Sequence, residues 1–442
     1  MKTLRNFWIL AGLLAVAFFA APAFSRARAQ TDSPLILILK ADGVVAPAMS
    51  EYIQRGIETA EQRSAELLVI QLNTPGGSIS TMTDIVEKMR ASRVPIAVYV
   101  SPRGAMAGSA GTLITLAGHV SAMAPETIIG AASPIDSSGQ DLGETAKAKE
   151  MEAMTALVRT IAARRSPEAI ELAQKTITEA KAVSASEAQK IGLVDFISSD
   201  LDELLQQLNG FKIETVDGPR TLNTANARTE PLPMSFIEQL LDILVNPNIV
   251  FLLVTIGVQA ILIELSSPGG WVAGFIGAVC LALAAYGLGV LPVNWFGVVF
   301  LVIAFALFIL DIKAPTHGAL TAAGVGTFII GALVLFNSPG VPQFQRVSTP
   351  LVVGTGLAVG LSFALLVGIA LRAQKSPIMM GSETFAGKHG IARTDINPFG
   401  QVQAEGELWS AELAPGSDPI QKGEAVSVEK VAGVKLIVRK KS

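Results

Sequence analysis

Between Ile249 and Leu371 five apolar runs follow one another: Ile249–Leu265, Trp271–Leu291, Phe296–Leu310, Ala319–Phe336 and Leu351–Leu371. Each is about long enough to cross a hydrocarbon core. One such run would fit a buried soluble helix; five in succession commit the middle of the chain to a multi-span helical membrane domain. The third is the shortest and fits a re-entrant segment as well as a full crossing. Composition agrees, because 50% of the 442 residues are apolar and only 16% are charged, too few for a purely soluble chain. A net charge of -3 gives no sign of a nucleic-acid partner. The single cysteine, Cys280, lies inside the second run, which excludes an intramolecular disulfide and a cysteine metal cage.

The flanks of this block read differently. Residues 1–29 have the form of a signal peptide, with Lys2 and Arg5 ahead of the apolar stretch Phe7–Ala20 and an A-x-A site at Ala27-Arg28-Ala29. An uncleaved anchor is the alternative, and either places the following domain outside the cytoplasm. Residues 30–210 alternate strand-like and helix-like segments, as an α/β domain does. Residues 211–232 are polar and read as a linker to the membrane domain, 233–375. In the tail, 376–442, five short strand-like runs separated by glycine and proline turns predict a small β-barrel of the OB type. Starting outside, five crossings would leave this barrel in the cytoplasm, and Arg372 and Lys375 after the last run obey the positive-inside rule. The expected location is the inner membrane.

The α/β segment carries the chemistry. S-P-R-G-A-M-A-G-S-A-G, residues 101–111, sets Ser109 among small residues at the start of an apolar helix, after the strand-like Ile96–Val100. Small neighbours admit a substrate backbone, and a helix N-terminus favours negative charge. The plain alternative is an N-cap serine in a Gly/Ala turn. Upstream, the strand-like Leu67–Leu72 ends in N-T-P-G-G, a turn whose glycines allow the Gly77 N–H to join that of Ala110 on one oxyanion. No histidine is well placed as the base: His119 follows Ser109 by one helical stretch, and His317 and His389 belong to the membrane loops and the tail. A lysine kept neutral by desolvation remains, with Lys147 and Lys149 as candidates and a surface position as the plain reading of both.

These motifs, in order and spacing, resemble the NfeD family of membrane-bound, ClpP-class serine proteases and, more distantly, signal peptide peptidase A. The pieces that carry the likeness are L-N-T-P-G-G, P-I-A-V-Y-V-S-P-R-G-A-M-A-G-S-A-G-T, H-V-S-A-M-A-P-E-T-I-I-G-A-A-S-P-I and, in the tail, G-I-A-R-T-D-I-N-P-F-G-Q-V-Q-A-E-G-E-L-W-S-A. The resemblance implies a ClpP/crotonase α/β fold, Ser109 as nucleophile, Gly77 and Ala110 as oxyanion donors, and Lys149 as base with Lys147 as the alternative. Where soluble ClpP carries its histidine this chain has I-I-G-A-A-S, which speaks for a Ser–Lys dyad. It further implies no cofactor and no metal, a substrate with hydrophobic segments, stomatin/prohibitin (SPFH) partners, contact with membrane lipid and a homo-oligomer. Met82, Met106, Ile135 and Met151 are the apolar residues near the motifs that would line such a groove. Two rivals differ in class: a scaffold whose protease-like domain only binds a stomatin-type partner, and an acyl-CoA enzyme, which an exported domain would deprive of its substrate.

Overall fold

The computed structural model describes residues 33–134, 144–266, 270–314, 316, 318–338, 341–375 and 385–441. The signal-peptide reading and Ile135 lie outside the described residues.

The N-terminal part is built on a parallel sheet. Strands β1 (Leu35–Asp42), β2 (Leu67–Asn73) and β3 (Ile96–Val100) are continuous apolar runs, the pattern of strands covered on both faces. They are separated by helices α1 (Pro47–Gln62), opened by a proline in its first turn, and α2 (Ile79–Ala91), capped by the Ser78 hydroxyl. The chain then makes β4 (Met106–Gly108), helix α3 (Ala110–Ala117), β5 (Val120–Met123) and β6 (Ile128–Gly130). Helices α4 (Glu144–Ile161) and α5 (Pro167–Thr178) follow, then β7 (Ala182–Ser184), α6 (Ala185–Ile191), β8 (Phe196–Ile197) and α7 (Leu201–Leu208). The S-x-x-E signal at Ser184 forms a reciprocal capping box, and Gly192 ends α6 in the left-handed region.

Residues 211–232, expected to be a linker, instead carry strands. A hairpin joins β9 (Lys212–Thr215) to β10 (Gly218–Thr221), and β11 (Arg228–Pro231) adds to the edge of β1. Polar side chains hide them, because an edge strand and a two-stranded ribbon need few buried residues. The large sheet therefore runs β11-β1-β2-β3-β5-β8, every pair parallel. Alternation along its strands separates two cores. Leu37, Leu39, Ile70 and Val98 face α1 to α5, while Ile36, Val69 and Tyr99 face Leu204 and Leu208 of α7. A small sheet, β4-β6-β7, stands beside it. This is the expected α/β architecture.

The membrane domain begins after a short helix, α8 (Phe236–Ile243), which also carries a capping box. Five apolar helices follow at the expected places: α9 (Pro247–Ser266), α10 (Val272–Val290), α11 (Phe296–Lys313), α12 (Ala319–Phe336) and α13 (Thr349–Lys375). Four spans are long and apolar enough to cross a bilayer, and the segment Phe296–Asp311 is shorter. Small residues let the helices approach. A Cβ on Gly277 would lie 2.9 Å from the Gly257 carbonyl, and one on Gly297 would lie 2.4 Å from the Leu335 nitrogen. Glu264 closes the α9–α10 turn by accepting from the Trp271 and Gly274 N–H groups at 3.1 and 3.2 Å.

The tail is a closed five-stranded barrel, as expected: β12 (His389–Ala392), β13 (Phe399–Ala404), β14 (Glu407–Leu413), β15 (Ala425–Ala432) and β16 (Lys435–Lys440), in the order β12-β13-β14-β16-β15. Its interior is filled by Val402, Val426, Leu436 and Val438.

The edge role of β11 predicts where the N-terminal domain can be cut. A fragment 33–234 keeps β11 and the 2.5 Å hydrogen bond from the Tyr52 hydroxyl to the Leu232 carbonyl. A fragment ending at 226 loses both and uncovers β1. At ~1 kcal/mol per net hydrogen bond and roughly 2–4 °C per kcal/mol for a domain of this size, its melting temperature should fall by ~4 °C or more in a thermal scan. Equal melting temperatures would mean that β11 contributes nothing to the fold.

Candidate active site

Two backbone hydrogen bonds and three close approaches join the glycine turn to the serine motif. The Thr74 N–H donates to the Met106 carbonyl at 2.7 Å, and the Gly108 N–H donates to the Thr74 carbonyl at 2.9 Å. The Ser109 N–H donates to the Gly130 carbonyl at 2.8 Å, which ties the same motif to β6. Gly108 and Gly111, on either side of Ser109 and Ala110, are glycines because the turn leaves no room for side chains. A Cβ on Gly108 would lie 2.9 Å from the Pro75 carbonyl, and one on Gly111 would lie 2.5 Å from Thr74 Cγ2. Gly76 has φ +117, and a Cβ on it would lie 2.6 Å from Ser109 Cβ. So the small residues of A-G-S-A-G and T-P-G-G answer each other across one contact.

Ser109 is not an ordinary helix cap. Its backbone sits at φ 51 and ψ −117, and its side chain makes no capping hydrogen bond. A capping serine has an extended backbone and accepts from the second or third helical N–H. Among the described residues none hydrogen-bonds the Ser109 hydroxyl. A non-glycine residue held in this region costs on the order of 1–3 kcal/mol. Neighbouring bonds hold it there: Thr112 N–H to the Ser109 carbonyl at 2.9 Å, and the Thr112 hydroxyl to the Ala107 and Gly130 carbonyls at 2.9 and 3.1 Å. This strand-to-helix bend presents the hydroxyl at a helix N-terminus, the geometry of a nucleophile elbow.

The two N–H groups expected to bind an oxyanion are those of Gly77 and Ala110. Val45 bridges to Gly77 by bonding its two neighbours, its N–H to the Gly76 carbonyl and its carbonyl to the Ser78 N–H, both 2.9 Å, which leaves the Gly77 N–H outside the bridge. The Ala110 N–H stands in the first turn of α3, where no intrahelical acceptor exists. Gly77 and Ser109 share the wall of a cleft of about 640 Å³ with Pro75, Ser78, Ala131 and Ser133.

The structure does not bring the lysines to Ser109 in the same way. Lys147 is half-buried and Lys149 exposed, both on the first turns of α4, and neither belongs to the described wall of this cleft. The rest of α4 is well anchored through Met154, Val158 and Ile161 in the main core. Of the expected groove residues, Met82 is fully buried in that core and Met151 packs against it. Met106 is exposed and pairs in register with exposed Ile128. Sequence reading marks the T-P-G-G turn but assigns no part to Gly130, which has φ +132 and a would-be Cβ 2.3 Å from the Lys181 carbonyl.

His119 is occupied elsewhere, as its sequence position implies. It is buried, and its Nδ1 accepts the Ile96 N–H at 3.1 Å. Burial, reinforced by the charges of Arg90 and Arg164, pushes its pKa down to about 4. A second polar cluster is structural. Burial opposes ionisation of Asp195, but the hydrogen bond and charge of Arg164, with Arg165 and the Ser121 N–H, outweigh it and hold the carboxyl below its usual range.

Comparison with known proteins places the whole chain. Residues 36–216 match the family described as "NfeD1b, N-terminal domain", residues 248–369 the "NfeD integral membrane domain", and residues 382–440 the "NfeD-like C-terminal, partner-binding domain". The chain belongs to the NfeD family, and it is a multi-span membrane protein with a ClpP-like N-terminal domain. Over 439 residues it is 33% identical to the membrane-bound protease PH1510 of Pyrococcus horikoshii, covering 97% of each chain. It is 26% identical over 431 residues to the membrane protein NfeD1b of Bacillus subtilis, covering 93% of this chain and 94% of that one. Among solved structures, a lysine-to-alanine mutant of the 1510-N membrane-bound stomatin-specific protease with a substrate peptide matches 48% of this chain and 98% of its own, at 31% identity and a TM-score of 0.45.

The buried histidine makes the domain acid-sensitive. An unfolded histidine titrates near ~6.5, whereas folded His119 stays neutral down to about 4. Between those values the unfolded chain binds a proton that the folded chain refuses, so stability is complete above ~6.5 and is lost as pH falls. The loss has a ceiling of about 3 kcal/mol. His119→Asn, which keeps an acceptor for the Ile96 N–H, should flatten the fall in urea midpoint of the 33–234 fragment between pH 7 and pH 4.5. An unchanged slope would show that another group is responsible.

Proposed function

We propose that this protein is a membrane-bound serine endopeptidase acting on hydrophobic segments of membrane-associated proteins. The observation that carries the reading is Ser109 itself, a strained and uncapped serine at a helix N-terminus, in a cleft shared with Gly77. Its relationship to a membrane-bound protease over nearly its full length supports the same reading. In the proposed reaction neutral Lys149 takes the Ser109 proton, and Oγ attacks the peptide carbonyl. The N–H groups of Gly77 and Ala110 bind the tetrahedral oxyanion. The lysine then protonates the leaving amine, and water hydrolyses the acyl-enzyme. Lys147 is the alternative base.

The base imposes a condition. A lysine in water keeps its proton to pH ~10.4, and only desolvation or a neighbouring cation makes it a base near neutrality. Lys149 is exposed in the isolated chain. The dyad therefore needs a cover for the start of α4, supplied by bound substrate or by a second copy of the chain in the expected homo-oligomer. By the family resemblance the substrates and partners are stomatin/prohibitin-type proteins. A second reading, a non-catalytic scaffold for such a partner, draws on the absence of either lysine from the described cleft wall.

A fluorophosphonate probe on the full chain separates the two readings. It should label wild type and leave Ser109→Ala unlabelled. Cleavage of an apolar peptide should vanish in Ser109→Ala, fall ~100-fold or more in Lys149→Ala, and stay near wild type in Lys147→Ala. Exchanged lysine results would move the base to Lys147; full activity in both would remove the dyad. The rate should rise into the mildly alkaline range, whereas a histidine base would give its limb near ~6.5.

The same proposal includes topology, with the catalytic domain outside and the barrel in the cytoplasm. Asn294 at the entry to α11 donates its N–H to the Leu335 carbonyl near the end of α12 at 2.9 Å, so α11 starts at the level where α12 returns. That supports a full crossing by the short third helix. A reporter active only in the cytoplasm should be active when fused after Ser442 and silent when fused after Asn209. Silence at both positions would require an even number of crossings.

A further inference from the structure

The cleft beside Ser109 is closed on one side by the membrane domain. Its wall includes Gly289 and Val290 at the end of α10, Pro292 just after it, and Pro342, Phe344 and Gln345 from the segment between α12 and α13. Phe344 sits in a 3₁₀ turn, Gln343–Gln345, and is 43% exposed, high for a phenylalanine that serves no core.

The segment bearing it is fixed at both ends. The Asn337 side chain donates to the Val347 carbonyl at 3.0 Å and accepts from the Val347 N–H at 2.8 Å. Asn248 Oδ1 accepts the Ser348 N–H at 2.8 Å, and the Arg346 side chain donates to the Val341 carbonyl at 2.8 Å. The catalytic side is fastened to the same frame. Arg55 of α1 forms a bidentate pair with Glu238 of α8, both contacts 2.7 Å, and donates to the Pro233 carbonyl at 2.7 Å. The end of α8 lies on α10 so closely that a Cβ on Gly287 would stand 2.5 Å from the Leu244 carbonyl. Planar, two-point arginine pairing sets orientation as well as distance.

We infer that Phe344, with Val290 and Pro292, forms a specificity wall for the reaction at Ser109, receiving an apolar side chain of a substrate segment beside the scissile bond at the membrane surface. The inference rests on the hydrolase reading of Ser109 and adds to it a residue class and a direction of approach. The opposite wall is mixed, with Ile79 and Ala131 beside Ser78 and Ser80, whose hydroxyls bond each other at 2.8 Å, and Ser133, whose hydroxyl donates to the Ile177 carbonyl. The large exposed apolar ring is on the membrane side. An isolated N-terminal domain lacks that wall.

The test reads binding, so that it stands apart from turnover. Full-length Ser109→Ala in detergent micelles is titrated into fluorescein-labelled octapeptides that carry Leu or Ser at the two central positions and are otherwise identical. Anisotropy should show the Leu peptide binding roughly 10-fold more tightly, the low end of what an apolar pocket achieves. Adding Phe344→Ala should reduce that ratio to below about 3-fold, and Phe344→Leu should restore most of it, which excludes misfolding as the cause. An unchanged ratio in Phe344→Ala, or no Leu preference in the parent, overturns the inference. If the preference depends on Phe344 while the protein with Ser109 intact cleaves neither peptide, the wall stands and the hydrolase reading falls. Cleavage with a Phe344-independent preference keeps the hydrolase reading and removes the wall.

Discussion

Thr74 holds the site together. Through its N–H and carbonyl it pairs with Met106 and Gly108 on either side of Ala107, and this isolated parallel bridge joins the turn after β2 to the strand before Ser109. Most of the local chemistry follows from that contact. It brings Gly76 against Ser109, forbids a side chain at Gly108 and Gly111, and sets the Gly77 N–H in the same cleft as the hydroxyl. The strain at Ser109 is tolerated because Thr112, buried behind it, bonds both the strand it leaves and the strand beside it. A strained residue survives only where its surroundings over-determine it, and here three segments distant in sequence do so.

The proposed nucleophile and oxyanion donors thus belong to the rigid scaffold, and the proposed base does not. Ser109, Gly77 and Ala110 are fixed by backbone hydrogen bonds inside a domain whose core residues are almost wholly buried. The lysines lie at a helix start, Lys147 half-buried and Lys149 exposed. A site whose oxyanion hole is permanent and whose base is completed only on covering would be inert toward passing peptides. Association, whether with substrate or with another copy, would then supply desolvation as well as proximity. That division of labour matches what the sequence offers: small residues where backbone must meet backbone, and a polar, lysine-bearing segment where closure has to be reversible.

How much is legible in the sequence follows the same line. The buried strands are readable because β1 and β2 open on consecutive apolar residues, Leu35–Leu39 and Leu67–Ile70, and β3 is apolar throughout, and the membrane helices because long apolar runs follow one another. The glycine and serine motifs are readable because close backbone approach restricts residue type. β4 escapes such reading: Met-Ala-Gly carries no β-branched residue and is a strand only through its partners Thr74 and β6. β11 escapes it for a related reason, since R-T-E-P buries little and its place is set by β1. Met82, which the resemblance would allow in a groove and whose plain reading is core packing, fills the core. The choice between Lys147 and Lys149 depends on burial in an assembled state, which no local pattern encodes.

The membrane-side wall is beyond sequence reading altogether, since Ser109 and Phe344 belong to different domains by composition. Their proximity is produced by the clamp of Arg55 on Glu238 and by the glycine-mediated seat of α8 on α10. If the proposed wall holds, the membrane domain has a part in recognition as well as anchorage. A protease tethered by a flexible linker would sample peptides from all directions, and its tether would only raise local concentration. Here the polar segment after α7 includes a strand of the large sheet, followed by a capped helix in a bidentate ion pair, which ties the N-terminal domain to α8. On the proposed reading, a substrate whose apolar segment leaves the membrane beside Phe344 would meet the serine without diffusing into water, where exposing that segment would cost about 25 cal/mol for each Å² of apolar surface. The same geometry disfavours soluble peptides, which must bring their own apolar residue to the wall. Selectivity for membrane-associated chains would then follow from the proposed wall.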